Sequence, residues 1–423
     1  MCCVFMKLLF VILDGGADRK DASLAGMTPL QSANMPNLRE IAAGAIKGMI
    51  YPIAKDIAPE SDAAVFSILG YEISKYTGRG PLESYGAGLK IRKGCAAFRC
   101  NFATVDSHMN IIDRRAGRIS TEDAKILEKE VNGIDIGLEG VSFKFKSTIG
   151  HRGVCVFYRK GGDFSPNVSN ADTGYIKKGN ISVAELSGSK KLPEVMPLDG
   201  SEEAKFTAYV VNSFVKKAVE KLSSCSMNIE RSEKGELQAN ALLLRDAGID
   251  LPKVERFSDK HGMSCAFIAE MPVEKGIAKL LGMHAINLSQ IENRRKRYSK
   301  MADLAIKNSD RYDFIYVHIK GPDEPGHDGD ALLKKSVLED IDDAFFGKIK
   351  NVDSKIVITC DHATPCIMKA HSGDPVPVML TVADPKDDKR ILFDEDIGSS
   401  GRMGVMNGNR LIEYVLKMWD NEK

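Results

Sequence analysis

The sequence predicts an α/β fold, with a mostly parallel sheet assembled from both ends of the chain and a smaller α/β domain inserted between them. Three observations carry this reading. Short, continuously apolar runs recur at Lys7–Leu13, Cys265–Ala269, Phe314–Ile319 and Ile356–Thr359, each followed by a polar loop; strands buried on both faces of a parallel sheet look like this. From about Leu89 to about Glu236 the texture changes, and strand-like pieces such as Val154–Tyr158 alternate with Gly- and Ser-rich turns. Finally, 423 residues are too many for one small core, so two domains are expected.

The elements follow in order. Lys7–Leu13 is the first strand. Pro36-Asn37-Leu38-Arg39-Glu40-Ile41 opens a helix with Pro in its first turn and Gly44 near its end. Ser61-Asp62 precedes a second helix, Ala63 to Leu69, closed by Gly70. Tyr76 to Gly88 carries Gly78, Gly80, Pro81, Gly86 and Gly88 and reads as a loop or linker. Glu202–Leu222 is a long amphipathic helix with Phe206, Val210, Phe214, Val215 and Leu222 near helical spacing. The α/β alternation resumes near Asn240–Leu244. The expected domains are therefore 1–88 joined to 237–423, with 89–236 inserted.

Composition limits the function classes. Hydrophobic residues at 43% and charged residues at 28% are ordinary for a soluble globular chain. Lys plus Arg (59) nearly balance Asp plus Glu (58), so no global field points to nucleic acid or to a membrane, and any anion-binding patch must be local. Nine cysteines, including the adjacent Cys2 and Cys3 and no Cys-x-x-Cys, fit a reduced cytoplasmic protein. The apolar opening Val4 to Leu13 lacks a basic leading region, is interrupted by Lys7 and ends on Asp14-Gly15-Gly16. It reads as a strand rather than a signal peptide. No run approaches the ~20 apolar residues that a membrane span needs.

In open parallel sheets the functional loops lie at the carboxyl ends of the strands, and Asp14, Asp323 and Asp361 all fall there. With Ser61, His327, His362 and His371 they form one inventory of carboxylates, imidazoles and a hydroxyl. Such ligands suit Mn²⁺ or Zn²⁺, and two divalent-metal shells around a hydroxyl nucleophile perform phosphoryl transfer. The plainer readings are a helix cap, a turn or a satisfied pair for any lone Asp-His. Ser61 alone reads as an N-cap, and Ala64 stands where a capping box needs Glu or Gln. The same helix start would also offer its N–H groups to an alkoxide or phosphate. A basic group, Arg99, Arg114, Arg115, Arg118 and Arg152, is either a solvated face or a set of bidentate anion ligands.

These residues sit in stretches that resemble the archaeal-type cofactor-independent (2,3-bisphosphoglycerate-independent) phosphoglycerate mutases. Phe10-Val11-Ile12-Leu13-Asp14-Gly15-Gly16-Ala17-Asp18-Arg19 is similar to the start of that family, as are Thr28-Pro29-Leu30 and Met35-Pro36-Asn37-Leu38. Ser61-Asp62 leading to Leu69-Gly70-Tyr71, Thr77-Gly78-Arg79-Gly80-Pro81-Leu82-Glu83 and Phe98-Arg99-Cys100-Asn101-Phe102-Ala103-Thr104 continue it. So do Asp113-Arg114-Arg115-Ala116-Gly117-Arg118, His151-Arg152-Gly153 and Asn240-Ala241-Leu242-Leu243-Leu244-Arg245. Gly321-Pro322-Asp323-Glu324-Pro325-Gly326-His327 and Asp361-His362-Ala363-Thr364-Pro365 complete a match that runs nearly end to end.

The resemblance implies an alkaline-phosphatase-like fold and two divalent metal ions (Mn²⁺, Zn²⁺ or Co²⁺). Asp14, Ser61, Asp361 and His362 would hold one, and Asp323, His327 and His371 the other. It implies that Ser61 becomes a phosphoserine while 3-phosphoglycerate and 2-phosphoglycerate interconvert, in glycolysis and gluconeogenesis. The inserted domain would close over the substrate, with Arg99, Arg114, Arg118 and Arg152 as its clamp and Asp113 and His151 handling protons, while Lys275 would reach the phosphate from the phosphatase-like domain. A related phosphotransferase, a phosphomonoesterase or a homoserine-kinase-like enzyme would use the same metal set. Two stretches depart from the family pattern. Asp172-Thr173-Gly174-Tyr175 replaces a usual Asp-Thr-Asp-Pro-His, and Gly94-Cys95 replaces Gly-Asp.

Overall fold

A computed structural model of the chain describes residues 7–178, 181–184, 190–398 and 400–420. The Val4 to Met6 part of the expected first strand and the Cys2-Cys3 pair lie outside them. The chain separates into two compact units: Met1–Lys75, Val254–Glu270 and Ala278–Lys423 form the first, and Tyr76–Lys253 with Met271–Ile277 the second. No helix among the described residues is long and apolar enough to cross a membrane. The described cysteines are free and buried.

The first unit is built on an eight-stranded sheet. Its order is His284–Ala285, Cys265–Ile268, Phe314–Ile319, Leu8–Leu13, Lys355–Cys360, Val376–Thr381, Ala45–Tyr51 and Gly404–Asn407. Neighbours are parallel except at Val376–Thr381, which runs antiparallel to both strands beside it. This is the α/β class with a mostly parallel sheet that the sequence led us to expect. All residues of Leu8–Leu13 and Phe314–Ile319 are buried, as strands covered on both faces must be. Leu13 pairs with Ile319 on one side and Cys360 on the other. The three central strands therefore end level, and the loops that leave them start from one line.

One tertiary tie holds two of those loops, and a second holds the start of a helix. The Asp18 carboxylate and Lys334 ammonium form a buried ion pair at 2.7 Å, and Lys334 Nζ also donates to Ala17 O at 3.0 Å and Thr364 O at 2.9 Å. One ammonium thus joins the loop after the first strand to the loop after Lys355–Cys360. The helix Pro36–Ala43 has no side-chain cap of its own. Its free N–H groups are taken by Asp342, which accepts from Leu38 N at 2.7 Å and Asn37 N at 3.2 Å. Asp342 opens a π turn, Asp342–Phe346, directly after the helix Ala331–Ile341; wide turns of this kind re-aim a side chain.

The second unit carries an antiparallel sheet ordered Ile111–Asp113, Ala96–Val105, Arg152–Arg159 and Val141–Ser147, with Ala241–Gly248 also paired to Ala96–Val105. One face is apolar. Phe98, Phe102, Phe145 and Phe157 pack there with Phe214 of the helix Glu202–Ser223 and Leu127 of the helix Thr121–Asn132. The long helix thus matches the expected Glu202–Leu222 to within a residue.

Two expectations are corrected here, and both move the unit boundaries from 88/89 and 236/237 to 75/76 and 253/254. Tyr76 to Gly88 is not a linker, because Arg79–Gly86 is a helix. Gly86 serves packing rather than a turn. A Cβ there would fall inside van der Waals contact with Pro272 O, and one on Gly276 would do the same with Leu82 O, so two helix backbones lie nearly in contact. Nor does Asn240–Leu244 rejoin the parallel sheet. Its strand pairs antiparallel with Ala96–Val105, since an apolar run records burial but not the identity of its partner.

Candidate active site

Asp14, Ser61, Asp323, His327, Asp361, His362 and His371 all lie in the first unit. Asp14 and Asp361 leave the level ends of adjacent strands, and Gly15 N and His362 N donate to Asp361 Oδ1 at 2.9 and 3.0 Å. Gly15 adopts φ +59°, and a Cβ there would lie 2.8 Å from Asp323 Cα, so only glycine lets these two loops meet. Ser61 is the first residue of the helix Ser61–Ile68, and Glu60 occupies the cap position without a side-chain cap bond. The N-cap reading of Ser61 is therefore corrected by one residue. Its hydroxyl turns away from the helix, lying 3.2 Å from Asp14 Oδ1 and 3.0 Å from His362 Nε2. It has one proton for two acceptors.

Asp323 and His327 share one face of the short helix Asp323–Asp328, four residues apart. His371 joins them: its Nε2 lies 3.4 Å from Asp323 Oδ1 and 3.1 Å from His327 Nε2. The other ring nitrogens are fixed by acceptors. His371 Nδ1 lies 2.8 Å from Pro59 O, and His327 Nδ1 lies 3.2 Å from Lys369 O. Thr364 Oγ1 donates to Asp323 Oδ1 at 2.7 Å and lies 3.0 Å from His362 Nδ1. A carboxylate or carbonyl can only accept, and the one Thr364 proton goes to Asp323, so each Nδ1 carries a hydrogen; His371, facing Asp323 Oδ1, carries one on Nε2 as well until a cation takes its place. All three Nε2 atoms are thereby presented to the interior of the site. Outer acceptors that fix a tautomer this way are what metal-ligating histidines have.

The donor set fits divalent cations. Ligand atoms of Asp14, Asp361 and His362 all lie within 4.8 Å of one another, as do those of Asp323, His362 and His371. Burial, offset by Lys320 and reinforced by Asp361 and Asp323, pushes Asp14 up to about 7. Burial pushes His362 down to about 4. On His371 burial is outweighed by the hydrogen bond to Asp323 and by Glu60, which raise it to about 10. Three further groups, absent from the expected set, touch these residues: Lys320 Nζ lies 3.0 Å from Asp14 Oδ1, His318 Nε2 3.3 Å from Asp361 Oδ2, and Thr364 bridges as described. Lys320 had a signal, since it directly follows the strand Phe314–Ile319, but a lone lysine has no spacing partner.

Arg99, Asp113, Arg114, Arg118, His151 and Arg152 lie in the second unit, and so does Lys275, which was expected in the phosphatase-like domain but falls in the Met271–Ile277 segment of the second unit. Arg99 is buried with its Nε 3.6 Å from Glu83, which Arg79 also contacts at 2.8 Å. Glu83 is held below the usual carboxylate range because Arg99, Arg79 and Arg152 overcome its burial. Burial and then Arg152 and Arg115 push His151 down to about 3, leaving it neutral at pH 7. Arg99, Arg152 and His151 thus share one cationic cluster with Arg79 and Arg245, two residues quoted in the motifs but given no role. Arg114 is committed elsewhere, bound to the buried Asp172 at 2.6 Å, and Arg245 binds the same carboxylate at 2.9 Å. The departing stretch at Asp172 thus supplies the carboxylate for these two arginines. Cys95, the other departure, is buried with its Sγ directed at Ile249 O. Asp113 accepts from the Arg115 and Gly117 backbones, Arg118 is exposed, and Lys275 is half-buried on the helix Pro272–Leu280.

Comparison with known proteins bears on this geometry. A family model described as 2,3-bisphosphoglycerate-independent phosphoglycerate mutase matches residues 42–228. A protein of that name from Aeropyrum pernix is 39% identical, with 98% of this chain and 99% of the relative covered. Another, from Methanocaldococcus jannaschii, is 39% identical over 99% of this chain and 98% of its own. Among solved structures, a Pyrococcus horikoshii protein is similar with TM-score 0.78 and 27% identity, covering 99% of this chain and 98% of that one. The cofactor-independent phosphoglycerate mutase of Thermoplasma acidophilum is similar with TM-score 0.60 and 30% identity, covering 97% and 99%.

Proposed function

Because the chain belongs to the 2,3-bisphosphoglycerate-independent phosphoglycerate mutase family, we propose that it interconverts 3-phosphoglycerate and 2-phosphoglycerate, with Ser61 taking up and returning the phosphoryl group. The observation that carries this reading is the placement of Ser61 Oγ, unused as a cap and 3.0 Å from His362 Nε2 amid converging ligand atoms. Two divalent cations, of Mn²⁺, Zn²⁺ or Co²⁺ character, would be held by Asp14, Ser61, Asp361 and His362 and by Asp323, His327 and His371. Bound there, such ions lower the pKa of a nearby hydroxyl and draw charge from phosphoryl oxygens.

The chain's own groups do the rest. Asp14 Oδ1 accepts the Ser61 proton in a hydrogen bond and orients the hydroxyl. Ser61 Oγ gives its proton to Asp14 and attacks phosphorus; the bond from phosphorus to the C3 oxygen breaks, the proton passes on to that oxygen, and a phosphoserine forms. The C2 hydroxyl of the retained glycerate then gives its proton to Asp14 and takes the phosphoryl group back, and the proton returns to Ser61 Oγ, so the cycle balances. The helix start at Ser61 offers backbone N–H groups to the phosphoryl oxygens. Arg99 and Arg152 suit the carboxylate and phosphate of the substrate. Such an enzyme would act in the cytoplasm on a small molecule, in glycolysis and gluconeogenesis.

The test adds metal-loaded protein to 3-phosphoglycerate with enolase as the coupling enzyme and no bisphosphoglycerate. We expect phosphoenolpyruvate to form with at least one of Mn²⁺, Zn²⁺ or Co²⁺. Ser61→Ala should fold and keep at least part of its metal affinity while turnover disappears. Silence with every metal sinks the proposal, and release of inorganic phosphate in place of 2-phosphoglycerate makes the chain a phosphomonoesterase.

A further inference from the structure

Lys320 is a cation beside the nucleophile that lies outside the expected metal set. It directly follows the strand Phe314–Ile319, and its backbone is pinned on both sides. The Tyr298 hydroxyl donates to Lys320 O at 2.9 Å, and Gly321 takes a φ of +144° that ordinary residues rarely adopt. From this fixed point the side chain, about a fifth exposed, carries Nζ to within 3.0 Å of Asp14 Oδ1. That same oxygen receives the Ser61 hydroxyl at 3.2 Å. Ammonium and nucleophile therefore share one carboxylate oxygen.

An ammonium beside a divalent-metal shell repels the metal, so metal binding alone gives it no purpose. The phosphorylated state does. The carboxylates of Asp14, Asp323 and Asp361 together with a phosphoserine dianion exceed two divalent cations by one negative charge, and one ammonium balances it. Lysine has the right chemistry for that role. It is a compact point charge on a flexible stem with three donors, able to turn from one oxygen to another without moving the backbone.

We propose that Lys320 is a phosphate-binding group of the Ser61 centre, resting on Asp14 Oδ1 when Ser61 is free and turning to a phosphoryl oxygen when one is present. The proposal rests on the phosphotransfer reading above and extends it by a residue outside the metal set. No bond is made or broken in this movement; a charge-assisted hydrogen bond to a carboxylate is exchanged for one to a phosphoryl oxygen.

The experiment uses the full chain loaded with Mn²⁺ and inorganic phosphate as the probe, by titration calorimetry, for wild type, Lys320→Met, Lys320→Gln and Lys320→Arg. Losing a charged hydrogen bond should weaken phosphate binding about tenfold or more in the Met and Gln variants, while Mn²⁺ affinity stays equal or rises. Lys320→Arg should recover part of the phosphate affinity. Equal phosphate affinity in wild type and Lys320→Gln overturns the proposal, and so does a wild type that binds no phosphate. A more than tenfold loss of Mn²⁺ affinity in both neutral variants also overturns it, because Lys320 would then serve only to arrange Asp14. If the wild type binds phosphate through Lys320 yet never turns over 3-phosphoglycerate, the mutase reading fails and this one stands.

Discussion

Replacing Lys334 by methionine measures how far the loops of the active site depend on one buried charge. Lys334 and Asp18 are paired at 2.7 Å with both side chains fully buried, and the same ammonium holds Ala17 O and Thr364 O. Methionine keeps most of the stem's volume and removes the charge. Asp18 would lose its cation in a dry setting, though it would not be bare. It still accepts from Cys366 N at 3.0 Å and Arg19 N at 2.7 Å. Ala17 O keeps a bond from Thr364 N, whereas Thr364 O loses its lysine donor. Breaking one side of a buried pair costs ~3–5 kcal/mol, and the remaining donors place the expected loss near the lower end, about 3 kcal/mol. That is a large share of the ~5–15 kcal/mol that a domain typically has. Urea denaturation followed by circular dichroism at pH 7 reads it directly. Lys334→Met combined with Asp18→Asn removes both charges and should recover roughly half of the loss or more. A single variant within about 1 kcal/mol of wild type, or a double variant no better than the single, would refute the reasoning.

Other expectations follow from the same geometry. Gly276→Ala should lower the thermal midpoint, because its Cβ would press on the Leu82 carbonyl; overpacking of ~1–3 kcal/mol outweighs the gain in helix propensity of up to ~1 kcal/mol. Gly200→Ala, which meets nothing within 4 Å, should shift stability by less than about 0.5 kcal/mol. Asp342→Ala removes the side-chain acceptor at the start of Pro36–Ala43 and should cost ~1–2 kcal/mol in urea, whereas Asp342→Asn should retain most of that stability. Burial pushes His261 down to about 4, so its neutral form is favoured by folding. Its contribution is complete above the unfolded value near 6.5 and drains away as pH falls through 4. Because the ring is half-buried, we expect a loss of ~1 kcal/mol between pH 8 and pH 5, absent in His261→Gln; equal pH slopes for the two proteins would count against it.

How much was legible in the sequence depended on whether a residue's role has a local signature. Asp14, Asp323 and Asp361 were legible because apolar runs mark strands and strand ends mark loops. That the three strands are neighbours and end level is what brings the residues together. Ser61 was placed at the right helix but one position early, since a serine before an apolar helix looks alike as a cap and as a first-turn residue. The Tyr76 to Gly88 stretch was misread because glycine has two uses: it permits unusual backbone angles and it permits close approach. Only the facing backbone of Pro272 shows that Gly86 has the second. The arginines were the least legible. Arg114 and Arg99 look the same in sequence, yet one is bound to Asp172 and the other belongs to the buried cluster around Glu83.

The position of the first strand has a consequence for biosynthesis. Leu8–Leu13 pairs on one side with Phe314–Ile319 and on the other with Lys355–Cys360. A ribosome adding roughly 5–20 residues per second leaves that segment without its native neighbours for about 15 to 70 seconds after it is made. During this wait an apolar edge that ends fully buried is open to any other strand. The second unit, whose sheet draws on residues 96–248, can close in the meantime. Folding of the nascent chain should therefore be ordered, with the middle of the sequence compact first and the catalytic centre assembled last.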